Sequence, residues 1–344
     1  MSSKEVDEVV VVQKKSAIVK EEEKDGRGEG EEKKERPKFT IENVVEIEEL
    51  SKDAEKIRWV GTQGKKLIKI NGISMLTELK SVNLRSNIIE SIKGIDELTK
   101  ITNMELYDNR IKSMKRVANL TRLEVLDLSF NRIKKVQSLN RLVNLRKLYI
   151  ANNRLSEIPE DAFKSLKSLE IIDLGANRIR KMGSGLNVLV NLKELWLGKN
   201  KIEKIEGIDK LKNLVKLDVQ SNRLTNVDSL PSLPNVEELY LSHNAIESMN
   251  GVQRLPNLST LDMSNNRISK LDQVEKLLKI EEFWMNSNPI ESFDEVERMS
   301  KMNLKHLSTI YFQHCPIAEE FAYRKRVAKL FPQLRQLDAD NIIR

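Results

Sequence analysis

Residues 123–131, LEVLDLSFN, and residues 145–153, LRKLYIANN, share the pattern L-x-x-L-x-L-x-x-N, with apolar residues at the L positions. The pattern occurs ten times, and the steps between its terminal asparagines are 22, 22, 22, 24, 23, 22, 22, 22 and 22 residues. An eleventh copy, LSTIYFQHC, follows after a step of 27 and has Cys315 in place of the asparagine. A regular period of this length indicates stacked structural repeats. The asparagines are Asn87, Asn109, Asn131, Asn153, Asn177, Asn200, Asn222, Asn244, Asn266 and Asn288.

The alternating apolar positions predict a short strand in every repeat, and successive strands stack in parallel. Each asparagine follows its strand directly, where a buried amide can satisfy backbone donors and acceptors in the turn. The sequence therefore predicts an α/β leucine-rich-repeat solenoid. A curved parallel sheet forms its concave face, short helices or 3-10 turns form its convex face, and a helical cap closes the C-terminal end.

Composition divides the chain into four parts. Residues 1–40 are rich in Glu and Lys and predict a disordered charged tail. Residues 41–64 are expected to cover the N-terminal edge, and residues 65–317 to form the solenoid. Residues 318–344 are expected to form the cap, in which a helix presents Phe321, Val327 and Leu330 on one face. Pro332 ends this helix, and the leucines that follow it pack back on the last strand.

Bulk properties leave little room for catalytic chemistry. The net charge of +7 permits a nucleic-acid partner without requiring one. The single cysteine, Cys315, excludes an intramolecular disulfide and is expected to be structural. The apolar run Val9–Val12 is too short for a signal peptide or a membrane span. The three histidines, His243, His306 and His314, form no catalytic or metal-binding set. We therefore expect a non-enzyme with no cofactor and no metal.

The ten asparagines and Cys315 are expected to stack as a ladder along the solenoid. The residue four positions before each of these ladder residues is expected to point outward from the concave sheet. From Asp127 to Trp284, acids and aromatic residues alternate strictly at this position. The residue type at an exposed position can vary without a functional reason. Exposed aromatic rings, however, are unfavourable at a surface unless a partner covers them, and aromatic residues often contribute much of the binding energy of an interface. The sequence therefore predicts a partner-binding surface made of Asp127, Tyr149, Asp173, Trp196, Asp218, Tyr240, Asp262, Glu282, Trp284 and Tyr311.

A basic row follows the asparagines directly. It could bind an anion or RNA, but long cationic side chains also cover apolar turns at a solvated edge. We favour the second interpretation, because no aromatic residues interleave this row in the sequence. The basic row is Arg110, Arg132, Arg154, Arg178, Lys201, Arg223 and Arg267.

The segments IKGI, IEGI and MNGV that follow the asparagines, together with ELYLSHN, EFWMN and the terminal YRKRV…LFPQLRQLDA, resemble the protein phosphatase 1 regulatory subunit 7 family. The resemblance extends from Leu79 to Arg344. It implies a non-catalytic regulatory subunit of the nucleus and cytoplasm that grips the phosphatase catalytic subunit with its concave face. It also allows a further inhibitory or regulatory subunit in a ternary complex. The family's contact positions fall on Asp127, Tyr149, Asp173, Trp196, Asp262, Glu282, Trp284 and Tyr311.

Three of these positions depart from the family. Where it usually has Phe and Glu, this chain has Tyr149, Trp196 and Asp173, which keep the chemistry but change the shape. Lys56-Ile57-Arg58-Trp59 also fits the short docking motif of many phosphatase partners, but Ile57 falls on the core register of a degenerate first repeat. Two other functions remain open: an RNA-associated leucine-rich-repeat protein of a splicing particle, and a cytoskeletal or axonemal scaffold. A membrane partner is not expected, and a nucleic-acid partner is disfavoured.

Overall fold

The computed structural model describes residues 38–40, 55–61, 66–70, 74 and 76–342. Within these residues, fourteen short strands form one sheet and two others form a small parallel pair. The strands are β1 Lys38–Thr40, β2 Lys56–Arg58, β3 Lys66–Lys69, β4 Ser81–Asn83, β5 Asn103–Glu105, β6 Val125–Asp127, β7 Lys147–Tyr149, β8 Ile171–Asp173, β9 Glu194–Trp196, β10 Lys216–Asp218, β11 Glu238–Tyr240, β12 Thr260–Asp262, β13 Glu282–Trp284, β14 Thr309–Tyr311, β15 Gln336–Leu337 and β16 Asp340–Asn341.

The large sheet runs in sequence order, and its strands from β2 and β4 through β15 are all parallel. Equivalent residues of successive repeats align, so that Leu195, Leu217 and Leu239 lie side by side. These central residues are fully buried, whereas the outer residues of most strands remain partly exposed. The predicted leucine-rich-repeat solenoid is confirmed.

The asparagine ladder connects each repeat to its neighbours. The Asn200 side-chain oxygen accepts a hydrogen bond from the Ile179 amide at 3.0 Å. Its Nδ2 donates to the carbonyls of Leu174, Leu197 and Gly198 at 2.9–3.3 Å. The other ladder asparagines repeat this arrangement with small variations, for example at Asn131. One amide per repeat therefore satisfies backbone groups that would otherwise be buried without partners.

Cys315 occupies the last ladder position. Its thiol is buried and lies 3.2 Å from the carbonyl oxygen of Met285, to which it donates a hydrogen bond. Burial raises the pKa of this thiol to about 11. Because the thiolate is the reactive form, these properties agree with the structural role expected from the sequence.

Few helices interrupt the described solenoid. The convex side carries 3-10 turns at 115–119, 252–254 and 274–276. An α-helix, α1 (Phe293–Ser300), lies in the repeat with the longer step of 27 residues. The Ser292 hydroxyl caps it by accepting a hydrogen bond from the Asp294 amide at 3.0 Å. The extra residues of this repeat thus accommodate a short helix, one of the two kinds of element predicted for the convex face.

The sheet begins earlier than position 65. Strand β2 joins it beside β4, with Ile57 opposite Val82 and almost completely buried. The phosphatase-type motif around Ile57 is therefore part of the first strand, as its core register indicated. Residues 38–40, which composition assigns to the tail, form β1 and pair with β3. The remaining predictions for residues 1–37 and 41–54 lie outside the described residues.

The C-terminal cap differs from the prediction in one residue. A 3-10 turn at Pro316–Glu319 precedes helix α2 (Tyr323–Leu330), and Phe321 lies between them with 98% of its surface exposed. The prediction that Phe321 joins the apolar helix face was wrong, because the left-handed backbone at Ala322 (φ 61°) separates it from the helix. Tyr323 is buried in its place, beside Val327 on α2.

The residues after Pro332 pack back as predicted. Leu334 and Leu337 are buried, and Leu337 lies on β15, which pairs with β14. Asp338 then accepts hydrogen bonds from the amides of Phe312 and Gln313, both at 2.8 Å. Strand β16 folds back antiparallel on β15, so the parallel stack ends in a hairpin.

Candidate protein-binding face

The third residue of each strand forms a row on the concave face. Four rings in this row, Trp196, Tyr240, Trp284 and Tyr311, are half-buried. On β13, Phe283 is fully buried, so the two outer residues of this strand lie on the concave side. The alternation along one strand therefore places the predicted aromatic residues on the predicted face.

Three of these rings form a continuous cluster. Trp284 and Tyr311 lie on adjacent strands and meet edge to face, with ring centroids 5.8 Å apart. Tyr240 and Trp284 lie two strands apart, yet their centroids are separated by 6.4 Å. Two strand spacings amount to about 9.5 Å. The two rings therefore lean toward each other over Asp262, which lies on the strand between them.

Lys216 links the fourth ring to this cluster. Its ammonium nitrogen lies 5.0 Å from the centroid of Trp196 and 5.5 Å from that of Tyr240. The same nitrogen is 2.6 Å from a carboxylate oxygen of Glu238. A cation held between two rings gains from the negative faces of both. We refer to Trp196, Lys216, Tyr240, Trp284 and Tyr311 as the aromatic strip.

The polar atoms of the strip are not satisfied equally. Three rings have a polar partner at 2.6–3.1 Å: Trp196 with Glu194, Tyr240 with Glu238, and Tyr311 with Gln336. The indole N–H of Trp284 is buried and has no hydrogen-bond partner among the described residues. An unpaired buried donor costs about 1–3 kcal/mol.

The acids of the row bind their own backbone. In each case one carboxylate oxygen accepts the amide N–H of the residue two positions later, at 2.8–2.9 Å. Asp218 and Asp262 are also buried, so the prediction that the whole row is exposed was wrong for these two. Asp262 lies beneath the leaning rings, and the Gln220 side chain donates to Asp218 at 2.9 Å. The pairs are Asp127–Ser129, Asp173–Gly175, Asp218–Gln220 and Asp262–Ser264.

Burial shifts the titration of this face. Burial raises the pKa of Asp173, and the charges of Asp218 and Asp127 raise it further against the opposing Gly175 amide. Burial likewise raises the pKa of Asp218. The pKa of Tyr240 is raised strongly, first by burial and then by its hydrogen bond to Glu238. Closely spaced carboxylates on a desolvated face thus carry unfavourable charge in the free protein.

The remaining predicted residues lie on the same face outside the strip. Tyr149 has no ring contact within the described part of the chain, and burial raises the pKa of its hydroxyl. Asp127 lies beside Tyr149 in the sheet register. Glu282 is half-buried between Thr260 and Thr309 on the neighbouring strands. The described structure thus brings Trp196, Tyr240, Trp284 and Tyr311 together and leaves Tyr149 apart.

Two contributors to the face were not predicted. Lys216 is the first residue of β10, and the equivalent residues of the neighbouring strands are Glu194 and Glu238. Its position between two rings depends on side-chain conformation, which the sequence pattern does not give. Gln336 belongs to the cap and reaches Tyr311 from β15. The capping role of the acids, by contrast, has a sequence signal, because a small or amide-bearing residue follows each Asp at the second position.

No group of three or more His, Cys, Asp or Glu side chains within the described residues could hold a metal ion. None of the described helices has the length and apolar character that crossing a membrane requires.

The family description "Leucine rich repeat" matches residues 99–155, 143–202 and 212–268. A second description, "Leucine Rich repeats (2 copies)", matches residues 190–232 and 256–298. Together they cover residues 99–298 continuously, more than half of the chain. Among curated proteins, none matches the chain.

Solved structures share the fold at low identity. An internalin from Listeria monocytogenes is 21% identical, with a TM-score of 0.66 over 88% of this chain and 94% of its own. A leucine-rich-repeat protein from Leptospira interrogans is 23% identical, with a TM-score of 0.68 over 88% of this chain and 81% of its own. Identity at this level shows the architecture alone. Ladder, sheet and family matches agree: the chain belongs to the leucine-rich-repeat proteins.

Proposed function

We propose that this protein is a non-catalytic docking subunit that binds a protein partner through the aromatic strip. The observation that carries the proposal is the continuous surface of half-buried rings in which Trp284 contacts both Tyr240 and Tyr311. Aromatic anchors in a partly desolvated patch carry much of the binding energy in protein interfaces. Solenoids of this kind are typically interaction scaffolds rather than enzymes.

We further propose that the partner is the catalytic subunit of protein phosphatase 1, as the sequence resemblance implies. The eight positions that match the family's contact residues support this proposal. Each is the first or third residue of a strand, and these residues face the concave side. The raised pKa values of Asp173 and Asp218 fit a partner that brings cationic groups to this face, because such groups would relieve the repulsion among the carboxylates.

The direct test is retention of the purified phosphatase catalytic subunit by the immobilised full-length chain. Trp284→Ala and Glu282→Ala are each expected to lose about 2 kcal/mol or more of binding free energy. Phe321→Ala is the matched control, because Phe321 is an exposed ring outside the concave face. Retention that is unchanged in both concave variants would contradict the proposed interface. Capture of no catalytic subunit by the unaltered chain would contradict the proposed partner.

A further inference from the structure

The residue before every ladder position has a left-handed backbone, and in one of these turns it is a phenylalanine. Across the eleven turns from Ser86 to His314, φ lies between 50° and 62°. Among residues other than glycine, Asn, Asp and His adopt this conformation most readily, whereas it is unfavourable for bulky side chains. Phe130 has φ 56° and 43% of its surface exposed. The backbone conformation is thus unfavourable for this residue, and the ring gains only part of the stabilisation that full burial would give.

Phe130 is the outer member of a three-residue stack. Its ring centroid lies 4.7 Å from that of Tyr107, with the planes inclined by 46°. The Arg85 guanidinium carbon lies 4.5 Å from the centroid of Tyr107 on the other side of the stack. The next repeat carries Ala151 and Asn152 at the equivalent positions. Arg85, Tyr107 and Phe130, which we call the Phe130 stack, form one contiguous group that ends at Phe130.

The N-terminal half of the basic row directly follows the ladder asparagines of these turns. Backbone hydrogen bonds of 2.8–2.9 Å connect each of its residues to the preceding repeat, so the cations recur once per repeat. None of them has an ion pair or a side-chain hydrogen bond within the described residues. Glu90 is already paired with Lys112 at 2.7 Å, and this pairing lowers its pKa more than the charges of Arg132 and Arg110 do. These cations are Arg110, Arg132, Arg154 and Arg178.

We propose that the Phe130 stack and these four arginines bind a single-stranded nucleic acid. Unpaired cations repeated once per repeat match the repeated phosphates of such a strand, and the exposed ring of Phe130 offers a face on which a base can stack. An acidic peptide would satisfy the cations but offers no general reason for a strained, exposed Phe130. No ring stands within the basic row itself, which is why the sequence favours a solvated edge. Tyr107 and Phe130 nevertheless precede Arg110 and Arg132 by only three and two residues.

The test is fluorescence anisotropy of the full-length protein with labelled twelve-nucleotide oligo(U) and oligo(dT), which separates RNA from DNA as the source. Phe130→Asn is the informative variant, since Asn is favoured in the left-handed conformation and occupies the same turn at Asn152. We expect this variant to weaken binding about tenfold while the melting temperature stays the same or rises. Arg132→Gln should also weaken binding, whereas Arg223→Gln, in the same row beyond the stack, should not.

The salt response provides an independent arm. Four phosphate contacts predict a slope of log K against log salt of about −3 for a single strand. Absence of binding at low salt, or equal binding by the unaltered protein and Phe130→Asn, would overturn the proposal. So would equal binding of a polyglutamate peptide that is insensitive to Phe130→Asn, because it would show a general polyanion surface. The proposed site shares no residue with the aromatic strip, so these results do not depend on phosphatase binding.

Discussion

The rings of Tyr240 and Trp284 meet edge to face across an intervening strand, with centroids 6.4 Å apart. Asp262 lies on that strand beneath them and is buried. The acid–aromatic alternation is therefore more than a periodic exposure of two residue types. The rings provide the outer surface, and the acids beneath and beside them hold the strand ends by accepting backbone N–H groups.

This contact predicts an energetic coupling between Tyr240 and Trp284. Edge-to-face pairs contribute about 0.5–1.5 kcal/mol beyond their buried area. A double-mutant cycle of Tyr240→Ala and Trp284→Ala, measured by urea unfolding, should therefore give a coupling free energy in that range. The control cycle pairs Trp284→Ala with Tyr149→Ala, which has no ring contact and should be additive. Equal coupling in both cycles would show that the ring contact is not its source.

Replacing Asp173 by Asn should stabilise the free protein at neutral pH. Asn retains the acceptor for the Gly175 amide, at 2.8 Å in the structure, but carries no charge. The pKa of Asp173 is raised by folding, so the folded state binds its proton more tightly than the unfolded state does. Stability from this group is consequently lost as pH rises from the unfolded value of about 3.9 through the folded pKa.

The advantage of Asp173→Asn should therefore be full at pH 7 and should shrink as pH is lowered toward 4, as followed by thermal unfolding across this interval. A variant that is less stable than the unaltered protein at pH 7 would show that the charge is favourable in the free protein. Phosphatase binding by the same variant should weaken, since its carboxylate is one of the proposed contacts.

The asparagine ladder should be far more sensitive to substitution than other asparagines. Asn200→Ala removes an acceptor and donors that serve four backbone groups, and should cost at least about 2 kcal/mol of unfolding free energy. Asn191 is exposed and makes one hydrogen bond, to the Lys167 carbonyl at 2.8 Å. Asn191→Ala should cost less than about 1 kcal/mol. Similar losses in urea unfolding for both variants would contradict the proposed role of the ladder.

The ladder was predictable because ten turns each bury backbone groups that one asparagine amide satisfies, and these asparagines recur at steps of 22 to 24 residues. Phe321 was predicted wrongly because helical periodicity does not register the left-handed backbone at Ala322. The burial of Asp262 could not be predicted, since it depends on how rings two strands apart lean toward each other. The sequence pattern of each repeat thus predicts the strands and which side chains point to the concave face. The contacts between side chains of different repeats can be seen only in the structure.

Cys315 should resist modification in the folded protein. Its thiol is buried in the last ladder position, and its pKa is raised to about 11, so the thiolate fraction at pH 8 is very small. Labelling with iodoacetamide, followed by mass spectrometry, should proceed slowly in buffer and rapidly in denaturant. Rapid labelling of the folded chain would indicate that the C-terminal repeat opens readily.

Calorimetric titration of the phosphatase catalytic subunit into the full-length chain measures how much Trp284 contributes to binding this partner. We expect Trp284→Ala to raise Kd about thirtyfold or more and Phe321→Ala to leave it within about twofold, because Phe321 is an exposed ring outside the interface. Equal Kd values for the unaltered chain and Trp284→Ala would contradict this expectation.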